Sequence, residues 1–283
     1  MNCMSKIYIL FFIIFSALSC QKKTEIILEK PAEIPMVRQY EYLPENLIAE
    51  NNTQQTTARY TDPTTRYGHG ILGDKIEAGG LLVTRKGKDY YVKLDSTYVF
   101  EDLQPRLADV DNDGELEFIT IQSSLTQGGS VAVYKILDEK LQLFVASNFI
   151  GTSSRWLNIA AIDDLDNDGK VEIAWVQTPH IGGILRIAHI ENGKLIVLDE
   201  KSGVSNHRIG SKNLCLSVLT QVANAKTLYL PTNAYDALLG FQFKDKKIVE
   251  TDKITAVIEA SKSLFEQYNF SNRLVDKNCI NVR

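Results

Sequence analysis

The sequence predicts an all-β chain built from repeated four-stranded units, and three observations carry that reading. An acidic loop occurs twice, as Asp109-Val110-Asp111-Asn112-Asp113-Gly114-Glu115-Leu116-Glu117 and as Asp164-Leu165-Asp166-Asn167-Asp168-Gly169-Lys170-Val171-Glu172. Short apolar, β-branched or aromatic runs flank both copies and read as strands: Leu107-Ala108 and Phe118-Ile119-Thr120-Ile121, then Ile159-Ala160-Ala161-Ile162 and Ile173-Ala174-Trp175-Val176. The match continues past the loops. Gly129-Ser130-Val131-Ala132-Val133 falls on Gly183-Ile184-Leu185-Arg186-Ile187, and Lys140-Leu141-Gln142-Leu143 falls on Lys194-Leu195-Ile196-Val197. Each unit reads strand, acidic loop, strand, turn, strand, short turn, strand. About four strands in roughly 40–55 residues is the pattern of a propeller blade. The expected architecture is therefore a β-propeller of about four to five blades, two of them with acidic loops, and a short C-terminal helix.

Taken in order, the chain opens with Lys6 and the apolar run Ile7–Phe15, followed by Ser16-Ala17-Leu18-Ser19-Cys20. A charged start, a short apolar run and small residues make a signal peptide. The run is shorter than the roughly 20 residues a spanning helix needs. Cys20 after a small residue resembles a bacterial lipobox, which implies cleavage after residue 19 and acylation of Cys20. Gln21-Lys22 lacks an inner-membrane retention Asp, so the expected location is the bacterial envelope, as an outer-membrane lipoprotein facing the periplasm or the cell surface. Residues 20–60 include the polar run Asn51–Thr57 and are expected to form a disordered tether. The propeller is expected over 61–250. Its first unit, within 66–100, has Gly80–Thr84 and Tyr90–Leu94 as strands, with Asp74 and Glu77 near the loop position. Its last unit, within 201–250, has lost the acids, because Val222-Ala223-Asn224-Ala225 lies where the loop would be. Residues 251–283 are expected to be helical or to close the ring, since Ile254–Glu266 has apolar residues near helical spacing.

Alternate carboxylates followed by Gly make an oxygen cage for a hard cation. Calcium takes six to eight oxygens, from positions 1, 3, 5 and 9 and from a backbone carbonyl at position 7. Position 7 is Glu115 in one loop and Lys170 in the other. An EF-hand requires Glu at position 12, but Thr120 and Trp175 stand there. The acid sits instead at position 9.

These loops resemble those of FG-GAP/VCBS-type repeat proteins, whose propeller blades carry D-x-D-x-D-G calcium loops, as in the head of integrin α subunits. The resemblance covers about residues 60–250. It implies two Ca2+ sites, one from Asp109, Asp111, Asp113 and Glu117 and one from Asp164, Asp166, Asp168 and Glu172. The family more often has Asp at position 9. It implies a fold and a metal but no chemistry.

The formal net charge is −4, and losing residues 1–19 removes one Lys and no acid. With no basic stripe, nucleic acid is not an expected partner. Cys3 leaves with the signal and Cys20 takes lipid, which leaves Cys215 and Cys279 as a possible disulfide. No G-x-S-x-G, H-E-x-x-H or C-x-x-C occurs. Polar residues before the first strands of successive units could meet at one end of a channel: Arg66, Tyr67 and His69, then Arg155 and Trp156, then His207 and Arg208. They either brace one blade against the next or form an anion or glycan pocket, with Arg as a bidentate donor. His180 and His189 read as structural. The expected role is a lipid-anchored binding or scaffold module for a protein or glycan. The rival is an envelope lyase or hydrolase, which would need paired acids, or an acid and a His, meeting in a cleft outside the loops.

Overall fold

The computed structural model describes residues 39–259 and 261–268. Their secondary structure is almost entirely β, arranged in three antiparallel sheets. The first sheet holds β1 (Ala49–Asn51), β2 (Thr56–Thr64), β3 (Glu77–Arg85), β4 (Lys88–Lys93), β5 (Tyr98–Phe100), β6 (Arg106–Ala108), β7 (Glu117–Ser124), β8 (Gly128–Leu137) and β9 (Lys140–Ala146). Its main path is β1-β2-β3-β5-β7-β8-β9, with β4 on β3 and β6 on β7. The second sheet is a meander of β10 (Leu157–Asp163), β11 (Glu172–Gln177), β12 (Ile184–Glu191) and β13 (Lys194–Ser202). The third repeats that order with β14 (Val218–Val222), β15 (Ala225–Pro231), β16 (Ala237–Lys244) and β17 (Lys247–Thr255).

Four repeats are visible in this list: β1–β4, β6–β9, β10–β13 and β14–β17. Short β5 is what fuses the first two into one sheet, since it pairs with both β3 and β7. In every repeat the last hairpin turns on two residues with positive φ: Lys86-Gly87, Asp138-Glu139, Asn192-Gly193 and Asp245-Lys246. That is the tight hairpin geometry that matches strand twist. A bulge follows in the last three, at Val133/Tyr134, Ile187/Ala188 and Gly240/Phe241. Burial follows strand position. Strand β7 is buried along its whole length and β11 all but its last residue, whereas β13 and β17 are mostly exposed. The apolar clusters lie between successive repeats: Phe118, Tyr134 and Leu81 between the first and second, Trp156, Ile121 and Ile173 between the second and third, Leu185, Leu228 and Phe241 between the third and fourth.

The turns between first and second strands are tied in series. Gln54 Nε2 donates to Gly114 O (3.0 Å), Asn112 Nδ2 to Gly169 O (2.7 Å) and Asn167 Nδ2 to Asn224 O (2.8 Å). Each link joins one repeat to the next, so the two acidic loops stand in the middle of a row of four. At the other end, the loop of residues 65–76 reaches later repeats. Tyr67 Oη accepts from Ser154 N (2.9 Å), and Ile71 O accepts from Gly210 N (2.8 Å).

Three expectations are corrected. Strands β1 and β2 lie inside the segment expected to be a tether, and the compact unit begins at Tyr40. The polar run concealed them: Thr56, Ala58 and Tyr60 alternate into the core although two of the three carry hydroxyls. The loop of the first repeat is therefore the turn at 52–55 and not the region of Asp74 and Glu77; Glu77 opens β3. The helix expected across 254–266 is absent, because β17 runs to Thr255 and, among the described residues, only one helical turn follows, α1 (Leu264–Gln267), capped by Ser263 and Glu266. Among the described residues no helix is long and apolar enough to cross a membrane. The signal peptide and Cys20 lie outside the described residues. Cys215 is buried and disulfide-bonded, and every other cysteine, Cys279 included, lies outside them.

Candidate metal centres

Each acidic loop folds on its own backbone first. Asp109 accepts from Asp113 N (3.1 Å) and Gly114 N (2.9 Å), and Asp164 accepts from Asp168 N (3.0 Å) and Gly169 N (3.1 Å). Asn112 and Asn167 take positive φ of 60° and 61°, followed by Gly114 and Gly169 at 89° and 91°. A Cβ there would be strained, which is why glycine holds position 6. Glu117 opens β7 and Glu172 opens β11. Both are buried and turn back under their loops to accept from Val110 N and Leu165 N, each at 2.8 Å. The result is two matching clusters, Asp109–Asp111–Glu117 and Asp164–Asp166–Glu172, each with carboxylate oxygens within 4.8 Å of one another.

The fifth and seventh positions do other work. Asp113 and Asp168 lie outside those clusters and accept from the backbone N–H of Glu115 (2.9 Å) and Lys170 (2.8 Å). The Glu115 side chain pairs with Arg85 (2.6 Å), and Lys170 faces Glu191 (3.9 Å). Position 7 offers the clusters at most its backbone carbonyl.

The environments of the two clusters differ. On β8, Lys135 stands across from Glu117, and its buried ammonium lies 2.6 Å from Asp111, 2.8 Å from Asp113 and 2.7 Å from Glu117. Burial works against that charge, but its interactions with the accepting carboxylates of Asp111, Asp113 and Glu117 outweigh it and hold the group above the ordinary lysine range. In the next repeat the position across from Glu172 is His189. Burial, helped by Lys170, lowers its basicity, and its Nε2 is buried without a partner. Among the described residues no Lys or Arg pairs with Asp164, Asp166, Asp168 or Glu172. Lys226 reaches only Asp163 (2.9 Å) and the backbone carbonyl of Asp164. Burial and then the neighbouring Asp166, Asp168 and Asp164 push Glu172 up to about 7. Asp166 is raised for the same reasons, burial first. A buried carboxylate without a counter-charge is costly. The second cluster therefore fits a cation, whereas the first already holds one on a side chain.

The seven residues considered for a ligand pocket do not gather in one depression. Arg66 donates through Nε to Tyr98 O (2.9 Å), and His69 Nδ1 lies 2.6 Å from Glu101. Arg155 is half-buried and donates to Ser154 O. Trp156 is buried and donates to Glu101 O (2.8 Å). Its ring packs against His207 at 4.7 Å and lies parallel to His180 at 6.2 Å. Only His207 and Arg208 reach a depression of about 370 Å³, which they share with Pro179, His180, Asn233 and Tyr235. His180, read from sequence as structural, is thus part of it. An acid and a His do meet outside the loops, at Glu101 and His69, but Glu101 is fully buried and the pair ties the 65–76 loop to the end of β5. Glu77, placed from sequence near the first loop, is instead buried beside β5; burial and then Glu101 push its carboxyl up to about 10, so it is neutral.

In that depression the proton positions follow from geometry. His207 Nε2 lies 2.8 Å from Ser211 O, a carbonyl that can only accept, so Nε2 carries the hydrogen. Burial lowers His207 to about 3 and His180 to about 4, so both rings are neutral. His207 Nδ1 then accepts from His180 Nε2 (2.9 Å), and His180 Nδ1 keeps its lone pair. Beside them the exposed Arg208 guanidinium lies 3.8 Å over the Tyr235 ring. Among the described residues it has no acidic partner.

Residues 103–175 match the FG-GAP-like repeat family. That span carries an FG-GAP-like repeat. It runs from the end of the first repeat's sheet connection to β11 and contains both acidic loops. No curated protein matches the sequence. Among solved structures, the chain is similar to the exotype rhamnogalacturonan lyase YesX (13% identity, TM-score 0.38, 76% of this chain and 51% of that one). It is similar to the Bacillus licheniformis rhamnogalacturonan lyase PL11 (13%, 0.38, 77% and 53%) and to the rhamnogalacturonan lyase YesW (14%, 0.39, 77% and 53%). The chain spans about half the length of these structures.

Proposed function

We propose that the chain is a calcium-braced β-propeller that serves as a binding module in the bacterial envelope, anchored through lipid on Cys20. The four repeats, linked turn to turn in order, support successive blades. Calcium is the ion proposed for the Asp164–Glu172 loop, where hard carboxylate oxygens converge around no other cation. Lipid at Cys20 rests on the signal-peptide pattern. A Cys20→Ser chain that still sediments with membranes would contradict that anchor.

One observation carries the binding role. Arg208 presents an unpaired guanidinium at the depression that also holds the His180 Nδ1 lone pair and the Asn233 amide. A carboxylate suits the guanidinium fork. Neighbouring hydroxyls suit the lone pair and the amide. The ligand class is therefore an acidic glycan, a sugar chain bearing carboxylates. Calorimetry with a uronate oligosaccharide and its carboxyl-reduced neutral counterpart tests this. Binding of the uronate alone, weakened at least tenfold by Arg208→Ala, is the expected result. Equal binding of the neutral sugar, or an unchanged Arg208→Ala chain, contradicts it.

A further inference from the structure

We infer that Lys135 is a built-in replacement for the metal ion in the Asp109–Glu117 loop, so that the chain takes up one calcium and not two. The inference rests on reading these loops as cation cages. It departs from the equal treatment that their matching acids invite.

The geometry is that of an occupied cage. Lys135 Nζ donates to Asp111 (2.6 Å) and lies at ion-pair distance from Asp113 and Glu117, 2.8 and 2.7 Å, so one ammonium stands against three carboxylates. Its stem is buried along β8, and the ammonium lies 5.2 Å from the centre of the Phe144 ring. A calcium ion would need oxygens of Asp111 and Glu117 at roughly 2.3–2.6 Å. Those carboxylates already face Nζ, and two cations sharing them would repel at close range in a partly dry site. The ammonium also differs from an ion in one respect: it is covalently part of the chain and cannot be chelated.

The second loop lacks this device. Its cross-strand residue is His189 in place of a lysine, and Lys226 touches Asp163 and a backbone carbonyl outside the cluster. The row of inter-repeat links is thus held by two kinds of brace. The one at the second repeat is permanent, and the one at the third depends on free calcium. Calcium at the envelope would then stiffen the junction of the third and fourth repeats and leave the first two unchanged.

Equilibrium dialysis of the full chain, purified in detergent, with radioactive calcium counts the ions. One ion per chain is expected, lost in Asp166→Ala and kept in Asp111→Ala. Lys135→Met is expected to bind a second ion and to melt lower than the parent in chelator, with the loss recovered in millimolar calcium. Two ions in the parent, or one ion lost in Asp111→Ala and kept in Asp166→Ala, overturns the inference. If the parent binds none, the cage reading of the second loop fails, and the Lys135→Met arm still decides. A melting temperature in chelator equal to the parent's overturns the role of Lys135, and a fall that millimolar calcium reverses upholds it.

Discussion

The loops at 109–117 and 164–172 share their acids, their turn residues and their backbone hydrogen bonds, yet one contains an ammonium and the other does not. The difference comes from one position on the third strand of the repeat, Lys135 against His189. A ligand motif therefore specifies a cage, and the strand packed under it decides what fills the cage. In this chain the same nine-residue pattern is a closed internal salt bridge in one repeat and an open acidic site in the next.

The largest effect expected from breaking this contrast is at Lys135. Removing one partner of a buried ion pair costs about 3–5 kcal/mol, because the remaining charges stay buried. Lys135→Met in chelator should lose stability of that order in denaturant titrations. His189→Met should lose much less, since no charge pairs with it. Equal losses would erase the comparison.

A smaller effect is expected from pH. In chelator, Glu172 is raised from the ordinary carboxyl value of 4.5 to about 7, chiefly by burial. The folded state then holds a proton that the unfolded state releases, so stability falls as pH rises from about 4.5 through about 7. After allowance for solvent at the loop, the loss is roughly 1–2 kcal/mol. If the cage takes calcium as proposed, it does so deprotonated, and added calcium should remove the decline. Glu117 is also raised by burial, but Lys135 opposes the shift, so Glu117→Gln should leave the profile in place where Glu172→Gln flattens it. A profile flattened by Glu117→Gln instead would assign the open site to the wrong loop.

The loops and hairpins were legible because their physics is local. Carboxylates at fixed spacing, Gly at the position of positive φ and two-residue turns between β-rich runs all act within a few residues. Strands β1 and β2 were not legible, because Asn51–Thr57 is polar and its inward face is set by pairing with β3. The 254–266 segment has helical spacing, but the edge of β16 offers unpaired backbone groups that β17 satisfies as a strand. Lys135 was present in the sequence as a lone charge in the apolar run Val131-Ala132-Val133-Tyr134, the kind of residue that a buried strand keeps only with a partner. Its partner Asp111 lies 24 residues away, so strand register was needed to name it. His180 and His207 are 27 residues apart and meet only through the packing of the third repeat's turn on the entry to the fourth.

Hydrogen exchange with and without chelator tests the contrast most directly. Amides of β10, β11, β14 and β15 around the Asp164–Glu172 loop should exchange faster once calcium is removed, while those of β6, β7 and β8 around the Asp109–Glu117 loop should not change. Equal acceleration at both loops, or acceleration confined to the first, would contradict the account.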